Sequence, residues 1–514
     1  MNGADSLVAT LIAGGVQTCF SNPGTSEMHI VSALDHRPEL RCVLTLFEGA
    51  ATAAADGYAR MAGKPACTLL HLGPGLANGL ANLHNARRAN TPIINIVGQH
   101  ATFHLPLDAP LTADIEGTAR PYSRWVRTVD SASAISRDTA EAIVASRTPP
   151  GQIATLIVPT DIAWGPGAPV AQLPAIPNPP LPSKETIEAI AAQLRTVRSS
   201  ALLLSGNTLY GEGLITAGRI AAGTGAKLLA PYPFPRMQRG AGTPPVERIP
   251  YVLEQAVDLL KDIRLLVLVG SAPPIAYFAS PDKSSAFTST ECEIVTLAKP
   301  SEDCTGALQA FASALNVTGK PPVVEPSQNT PLPSGPISLN GLAAAIAALL
   351  PENAIVVDES MTSGRAILPA ARGGVPHDFL ANTGGSIGIA FPMAVGAAVA
   401  CPDRRVLCLS ADGSGMYTLQ ALWTMAREGL NITNVVFANR AYSVLKREFS
   451  YLGVGAPGPR ALELLEIDRP ALDWVSLARG MAVPAQRISS LDEFAQALRN
   501  GFAAAGPTLI EIPL

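Results

Sequence analysis

The sequence predicts an α/β fold of three doubly wound parallel-sheet domains, each with helices on both faces of its sheet. Short apolar runs such as 66–72 (ACTLLHL) and 405–411 (RVLCLSA) alternate along the chain with alanine-rich segments of helical length. Continuous apolar runs bounded by glycine or proline are typical of parallel strands buried on both faces. The chain has 514 residues, more than one hydrophobic core usually supports.

Two proline-rich segments divide the chain, at 165–183 and 320–336. Such segments cannot form packed helices or central strands, and they behave as semi-rigid spacers. We therefore predict domains at residues 1–164, 184–318 and 338–514, each of ordinary domain size.

Each predicted domain has its own set of strands. The first has strands at 16–21, 42–47, 66–72, 92–98 and 154–159. The second has strands at 201–206, 226–231, 264–270 and 292–298, and the third at 354–360, 405–411, 434–439 and 508–513. Ligands of such sheets bind beyond the carboxyl ends of the strands, so the residues that follow each strand are the functional candidates.

Composition excludes several classes of protein. A net charge of −4 and a pI near 6.0 argue against a nucleic-acid partner, which needs a clustered basic face. No run approaches the roughly 20 apolar residues of a membrane span, and the N-terminus lacks a basic signal region. Seven cysteines without a CxxC pair predict buried, reduced thiols and a cytoplasmic protein. Only 15% of residues are charged, which favours buried subunit contacts.

A metal site is predicted where two strands of the third domain end. Asp412 directly follows the strand at 405–411, Asn439 ends the strand at 434–439, and a helix is predicted between them at 417–428. This βαβ order brings both side chains to one edge of the sheet. Carboxylate and amide oxygens suit Mg²⁺ that also holds phosphates. The alternative is an Asp-Gly turn that caps a helix, with Asn439 unrelated to it.

The sequence 412–414 (DGS) followed by Asn439 resembles the signature of thiamine-diphosphate enzymes, a Gly-Asp-Gly followed by Asn-Asn. Ala411 and Ala438 replace the first glycine and the first asparagine, neither of which is a ligand. The resemblance implies that Mg²⁺ is held by Asp412, Asn439 and the carbonyl of Ala441. It also implies that the diphosphate is bordered by Thr362, Ser363, Gly413, Ser414, Tyr442 and Ser443.

Glu48 follows the predicted buried strand at 42–47 and begins an alanine-rich helix. A carboxylate among apolar neighbours needs a hydrogen-bonding partner, although a glutamate there can simply complement the helix dipole. FEGAATAAADGYAR (47–60) resembles the corresponding helix of the pyruvate oxidase and acetolactate synthase superfamily. The resemblance implies that Glu48 binds the cofactor's pyrimidine ring and promotes the ylide. The ylide attacks a 2-oxo acid, and decarboxylation leaves an enamine.

The segment 382–392 (NTGGSIGIAFP) resembles the loop that clamps the aminopyrimidine in this superfamily. Gly385 would offer its carbonyl to the amine and Ile387 would bend the cofactor, although a glycine-rich turn before a buried helix would look similar. The resemblance makes the three domains the pyrimidine-binding, middle and diphosphate-binding domains. It implies a homodimer, or a dimer of dimers that forms a homotetramer, with active sites between subunits.

Two branches of the superfamily compete. FSNPGTSE (20–27) and LLHLGPG (69–75) resemble benzoylformate decarboxylase, and they make Thr25 and His71 catalytic candidates. His71 could carry protons at neutral pH, or it could be structural. Phe278 stands where that enzyme has a second histidine. GPGLAN (73–78) and IVGQ (96–99) resemble acetolactate synthase. We predict decarboxylation of a 2-oxo acid, with acetolactate synthase-like ligation of the enamine to a second carbonyl compound as the alternative.

Other functional hypotheses have less support from the sequence. The glycines at 73–79 lack the acidic residue that a dinucleotide site requires, which disfavours a flavin or nicotinamide dehydrogenase. No FAD fingerprint is present, and we do not expect a bound FAD. A non-catalytic homologue would not need Glu48, Asp412 and Asn439. His100 and His104 have no assigned role. Four residues after the metal loop either shape the substrate pocket or pack: Val444, Leu445, Glu448 and Phe449.

Overall fold

The computed structural model describes residues 1–281 and 283–514 and contains three predominantly parallel sheets covered by helices, so the predicted fold class is confirmed. The sheets have six, five and seven strands. No helix within the described residues is long and apolar enough to cross a membrane.

The first sheet is entirely parallel, in the order β2-β1-β3-β4-β6-β5. Its strands are β1 (Thr18–Asn22), β2 (Arg41–Leu44), β3 (Ala66–Leu70), β4 (Ile93–Gln99), β5 (Trp125–Thr128) and β6 (Ile153–Pro159). The helices around it are α1 (Gly3–Ala13), α2 (Met28–Asp35), α3 (Glu48–Ala62), α4 (Leu72–Arg88), α5 (Ile115–Ala119), α6 (Ile135–Arg147) and α7 (Thr160–Trp164). Strand β5 was not predicted from the sequence, because its residues are only half-buried.

The prediction of a buried strand at 42–47 is wrong in two respects. Strand β2 ends at Leu44, and it is an edge strand on which Arg41 and Cys42 are exposed. The loop at 45–47 separates it from Glu48. The prediction of uniformly buried cysteines is also wrong, because Cys42 is exposed, although all seven are free thiols. The cytoplasmic location inferred from these thiols stays a prediction.

The second sheet has the order β10-β8-β7-β11-β12. The strands of this segment are β7 (Ser200–Leu204), β8 (Lys227–Ala230), β9 (Arg236–Arg239), β10 (Glu247–Arg248), β11 (Leu265–Val269) and β12 (Glu293–Ala298). Its helices are α8 (Lys184–Thr196), α9 (Gly211–Thr224), α10 (Leu253–Leu260) and α11 (Cys304–Ala314). The four strands predicted from the sequence are all present.

The third sheet has the order β17-β18-β16-β15-β13-β14-β9. Its own strands are β13 (Ile355–Glu359), β14 (His377–Ala381), β15 (Val406–Ala411), β16 (Ile432–Ala438), β17 (Ala485–Arg487) and β18 (Thr508–Pro513). The helices are α12 (Leu339–Leu349), α13 (Ile367–Ala370), α14 (Ala390–Ala400), α15 (Asp412–Gly415), α16 (Ala421–Arg427), α17 (Ser443–Tyr451), α18 (Pro459–Leu465), α19 (Trp474–Gly480) and α20 (Leu491–Ala503). The helix predicted at 417–428 is wrong in extent, because only α16 is helical there.

Strand β9 belongs by sequence to the middle segment but completes the third sheet. It pairs antiparallel with β14, from His377 opposite Arg239 to Leu380 opposite Arg236. An ion pair of 2.7 Å between Arg236 and Asp378 lies at this junction. The third sheet is therefore parallel except at this edge. The domain boundaries at 164, 184, 318 and 338 stay predictions, and the segments 165–183 and 320–336 contain neither helix nor strand.

The first and third domains share one hydrophobic core within the chain, where α3 packs against α14. The contact is close because Gly396 lacks a side chain. A Cβ there would lie 1.9 Å from the carbonyl oxygen of Ala54. This crossing holds the end of α4 beside the loop at 382–388, next to the candidate site.

Candidate active site

The carboxyl ends of β15 and β16 bring the two predicted metal ligands to one edge of the third sheet. The strands pair in parallel, with Ala411 opposite Phe437, and Asp412 and Asn439 follow them. Asp412 is only 2% exposed, and its carboxylate accepts hydrogen bonds from the backbone N–H groups of Arg440 (2.7 Å) and Gly413 (2.9 Å). Burial raises the pKa of Asp412.

The donor set at this edge suits a hard cation. Among the described residues, the Asp412 carboxylate has no side-chain cation as a hydrogen-bond partner, and the Asn439 amide oxygen accepts a hydrogen bond only from the backbone N–H of Ala441, 3.1 Å away. Within the described residues no three His, Cys, Asp or Glu side chains form a metal-binding group. One carboxylate, one amide oxygen and a backbone carbonyl therefore fit Mg²⁺ completed by phosphate and water, and not a softer metal.

Several of the predicted diphosphate contacts lie around this edge. Ser363 Oγ is 3.5 Å from Asn439 Nδ2, and a Cβ on Gly413 would lie 2.8 Å from the Tyr442 ring. Ser363 and Ser414 are buried, whereas Thr362, Tyr442 and Ser443 are half-buried. Beyond them, α17 carries the half-buried Val444, Glu448 and Phe449 and the exposed Leu445. The individual roles of these residues stay predictions.

The loop at 382–388 is fixed by a carboxylate that the sequence analysis did not single out. Glu359, at the end of β13 and 2% exposed, accepts hydrogen bonds from the N–H groups of Gly388 and Ala390 and from the Asn382 amide, all at 3.0–3.1 Å. Burial raises the pKa of Glu359 to about 7, although these donors favour its ionised form. Gly385 is exposed with φ +80°, which favours glycine.

The first domain also holds this loop. Asn85 near the end of α4 accepts from the backbone N–H of Ser386 at 3.1 Å and donates to its carbonyl at 2.8 Å. His84 Nε2 lies 3.2 Å from the carbonyl oxygen of Gly384. Ile387 is half-buried. The predicted aminopyrimidine loop is therefore clamped between two domains of one chain, so it is positioned before any ligand binds.

Glu48 begins α3 and is 6% exposed. Its Oε2 accepts a hydrogen bond of 3.0 Å from Asn78 Nδ2, while Oε1 has no hydrogen-bond partner among the described residues. A Cβ on Gly75 would lie 3.0 Å from this Oε1 and 3.3 Å from the Cβ of His71. The absent side chain of Gly75 therefore leaves a space that Glu48 and His71 both border, and Oε1 is available to a ligand there.

His71 is paired with a buried glutamate. Its Nδ1 donates a hydrogen bond of 2.8 Å to Glu27 Oε2. The same oxygen accepts a hydrogen bond of 2.7 Å from the backbone N–H of Gly24. Glu27 is fully buried, and burial raises its pKa, although Gly24 and His71 partly offset this. The pair fixes the ring of His71 and leaves its Nε2 outside the contact. Thr25 is exposed on the turn beside it.

Two further histidines lie near this pair. His100 follows β4, and its ring centroid is 5.4 Å from that of His104. Burial lowers the pKa of His100, and His104 and His71 are near enough to lower it further. Its Nε2 is buried without a hydrogen-bond partner among the described residues. The carboxyl edge of the first sheet thus gathers three histidines and one buried glutamate.

The middle segment contributes aromatic residues. Phe278 is 62% exposed, and its ring centroid lies 5.6 Å from that of Tyr277. A Cβ on Gly385 would lie 2.5 Å from the Tyr277 hydroxyl oxygen. Phe278, predicted to stand in place of a proton-transferring histidine, packs beside the tyrosine that contacts the loop at 382–388, and its side chain cannot transfer protons.

Glu27 and Glu359 are functional candidates that the sequence analysis missed. Each follows or ends a parallel strand, which is the signal that singled out Asp412. Glu27 ends the segment FSNPGTSE (20–27), in which only Thr25 is a catalytic candidate, and no quoted motif contains Glu359. Their partners are distant in sequence: His71 is 44 positions from Glu27, and Gly388 is 29 positions from Glu359.

Comparison with known proteins supplies the family context. Residues 1–115 match the family model "Thiamine pyrophosphate enzyme, N-terminal TPP binding domain", and residues 367–512 match its C-terminal TPP binding domain counterpart. The chain is 49% identical, over 100% of its length and 99% of the relative's, to a Mycobacterium tuberculosis protein named "Putative acetolactate synthase large subunit IlvX". It is 28% identical to benzoylformate decarboxylase of Pseudomonas aeruginosa, over 97% of this chain and 96% of that protein.

The fold resembles solved structures over its full length. The thiamine diphosphate-dependent 4-hydroxybenzoylformate decarboxylase of Rhodococcus jostii RHA1 superposes with a TM-score of 0.85. The superposition covers 99% of this chain and 98% of that one at 22% identity, so it shows a shared fold.

Proposed function

The chain belongs to the thiamine pyrophosphate (thiamine diphosphate) enzymes, and within that family we propose that it decarboxylates a 2-oxo acid. The predicted resemblance is thereby confirmed: this is a thiamine-diphosphate-dependent enzyme of the decarboxylase or acetolactate synthase type. The observation that carries the proposal is the shared space at Gly75, where the free Oε1 of Glu48 and the Glu27-oriented His71 meet.

The cofactor and its metal would be held at the edge of the third sheet. Asp412, Asn439 and the Ala441 carbonyl would ligate Mg²⁺, with Ser363 and Ser414 beside the diphosphate. Bound thiamine diphosphate supplies a nucleophilic carbon and accepts the electrons released on decarboxylation. Glu48 Oε1, which has no hydrogen-bond partner among the described residues, would hold a proton shared with the pyrimidine ring.

His71 would move the proton of the substrate's carbonyl oxygen. Glu27 is hydrogen-bonded to Nδ1, so Nε2 is the nitrogen that would face the substrate. A carboxylate paired with the imidazole stabilises the protonated ring and fixes its tautomer. Thr25, exposed beside His71, would donate a hydrogen bond to the substrate carboxylate.

Ligation of the decarboxylated fragment to a second carbonyl compound is the second candidate. Two observations favour it: Phe278 offers no proton at its position beside Tyr277, and the 49% identical relative is named as a putative acetolactate synthase subunit. Slow protonation leaves the fragment time to attack another carbonyl carbon. Both reactions begin with the same decarboxylation.

We propose a homodimer or a dimer of dimers in which Glu48 and His71 of one subunit face the Asp412 edge of another. The side-chain hydrogen bonds of Glu48 and His71 are made within the first domain, to Asn78 and Glu27. Closure against a second subunit would complete the site. Twofold symmetry then yields two equal sites per dimer.

The test is a panel of 2-oxo acids incubated with purified protein, thiamine diphosphate and Mg²⁺, with products identified by mass. Each acid is assayed with and without an added aldehyde. Aldehyde release indicates decarboxylation alone, and a 2-hydroxy ketone or 2-hydroxy acid indicates ligation. Glu48→Gln is the catalytic control. If protein that binds the cofactor released carbon dioxide from none of the acids in the panel, the proposed function would be contradicted.

A further inference from the structure

The carboxyl edge of the first sheet carries histidines after two neighbouring strands. Strands β3 and β4 pair in parallel with Leu70 opposite Val97, so His71 comes level with Gly98. The fully buried Glu27 connects these two positions. Its Oε2 accepts the hydrogen bond of His71 Nδ1, and its Oε1 lies 1.7 Å from where a Cβ on Gly98 would stand. The missing side chain of Gly98 therefore makes room for the partner of His71.

His100 lies on the same side of this edge as Gly98. Successive side chains of a strand alternate between its faces, and His100 is two positions after Gly98, directly beyond the end of β4. Its Nε2 is buried and has no hydrogen-bond partner among the described residues. Because buried polar atoms normally have a partner, this nitrogen is placed to exchange a proton with a bound molecule or a water.

His104 continues the line of histidines toward the surface. Its ring centroid lies 5.4 Å from that of His100, a separation that one water molecule can bridge. The turn that joins them is held in place, because the backbone N–H of Thr102 donates a hydrogen bond of 3.0 Å to the carboxylate of Asp161. His104 is half-buried and follows Phe103, which is 70% exposed. The three histidines therefore extend from the candidate site to the surface of the chain.

The surroundings of His100 favour its neutral form. Burial lowers its pKa, and the neighbouring His104 and His71 lower it further. The carboxylates in contact with this group are Glu27, which binds His71, and Asp161, which binds the turn between His100 and His104. A neutral imidazole can accept a proton at one ring nitrogen and release a proton from the other, as proton transfer along a chain requires.

Decarboxylation of a 2-oxo acid to an aldehyde consumes one proton. In R–CO–COO⁻ + H⁺ → R–CHO + CO₂, the carbon–carbon bond breaks and the electron pair left on the carbonyl carbon takes up the proton. If His71 delivers a proton, it has to be reprotonated before the next turnover. Phe278, predicted to stand in place of a second histidine, cannot supply a proton.

We propose that His104 and His100 form a proton relay that returns a proton from solvent to His71 in each turnover. This inference rests on the proposed function and assigns the source of the proton that decarboxylation consumes. His100 and His104 act through His71 and are positioning residues of the relay. A working relay also favours aldehyde release, because slow protonation leaves the decarboxylated fragment time to attack a second carbonyl compound.

The first test measures kcat, KM and the product ratio of His100→Gln and His104→Gln, with the best 2-oxo acid of the panel and an added aldehyde. Reprotonation follows the loss of CO₂, so kcat and KM should fall together by about tenfold or more while kcat/KM changes by less than about twofold. The ratio of aldehyde to ligation product should fall by about the same factor as kcat. His36→Gln, at an exposed histidine directly after α2, is the matched control and keeps the parental values.

Two outcomes of this test would overturn the relay. One is a parental kcat and product ratio in both variants. The other is a fall of kcat/KM that equals the fall of kcat, because a merely structural role of His100 and His104 would weaken every step.

Histidine NMR separates the relay from the proposed function. The chain has seven histidines, so the signals of ¹³C-labelled rings can be assigned from single variants of protein loaded with thiamine diphosphate and Mg²⁺. We expect the pKa of His100 to lie below the usual histidine value and to rise in His71→Gln and in His104→Gln. A His100 pKa that neither substitution changes would overturn the relay, whatever the activity. Coupled titration in a protein that decarboxylates no 2-oxo acid would support the contacts of the relay and contradict the proposed function.

Discussion

Replacing Glu27 with Gln tests the buried pair that orients His71. Glu27 Oε2 accepts from His71 Nδ1 at 2.8 Å and from the Gly24 N–H at 2.7 Å, with no part of the side chain exposed. Glutamine has nearly the same shape and can still accept the Gly24 bond. The substitution therefore removes the charge opposite the imidazole while it leaves the local turn in place.

The expected loss follows from one charge-assisted hydrogen bond. Such bonds are worth about 1.5–3 kcal/mol, which corresponds to a rate reduction of roughly ten- to a hundredfold in the step that protonates His71. Folding should survive the change. Because burial raises the pKa of Glu27, a neutral amide removes the cost of burying a carboxylate.

The assay is a double-mutant cycle on kcat/KM for the best 2-oxo acid, with Glu27→Gln, His71→Ala and the double variant. In the His71→Ala background, Glu27→Gln should change kcat/KM by less than about twofold, because a positioning residue has nothing left to position. Glu39→Gln, an exposed glutamate in the same domain, is the control. Fully additive losses, or a loss explained by weaker thiamine diphosphate binding, would refute the role assigned to Glu27.

Three further predictions concern Glu48, Gly75 and Glu359. Glu48→Gln should retain thiamine diphosphate binding, measured by fluorescence quenching, and lose on the order of a hundredfold or more of kcat; parental turnover would contradict its role. Gly75→Ala places a methyl group 3.0 Å from Glu48 Oε1, so kcat should fall while the melting temperature changes little. An unchanged kcat would contradict the proposal that Glu48 and His71 act in the space beside Gly75. Glu359 binds its proton more tightly in the native than in the unfolded state, since its pKa rises from 4.5 to about 7, so the free energy of unfolding falls as pH rises through that range. Between pH 5 and pH 8, Glu359→Gln should reduce the fall in the free energy of unfolding by roughly 2–3 kcal/mol, as measured in urea titrations. The control Glu352→Gln, at an exposed glutamate, should not change it. The same pH dependence in Glu359→Gln and the parent would contradict the raised pKa of Glu359.

The positions that the sequence predicted best are those fixed by local rules. Asp412 and Asn439 each follow a parallel strand, and parallel strands end at one edge of a sheet, so their proximity follows from strand prediction alone. The alanine-rich run after Glu48 has a high helix propensity, and α3 spans Glu48–Ala62 as expected. The boundaries of β2 and α16 were less predictable, because apolar residues continue past the strand and the helix begins late.

Other features depend on contacts between distant segments. Glu359 is recognisable as a loop anchor only once the N–H groups of Gly388 and Ala390 are seen to point at it. Tyr277 reaches Gly385 across a domain boundary, in a segment with no strong periodicity. Strand β9 is short and carries three polar residues among its four, Arg236, Gln238 and Arg239, so nothing local indicated that it pairs with β14.

The contribution of β9 constrains how this protein can be re-engineered. Exchanging the middle domain for that of a relative would also exchange the antiparallel neighbour of β14, together with the Arg236 partner of Asp378. An excised middle domain would leave the amide and carbonyl groups of β14 uncovered, and such an edge invites aggregation. Functional chimeras should therefore retain residues 236–239 from the parent that supplies β14, and grafts that ignore this rule should be recovered mainly as insoluble protein.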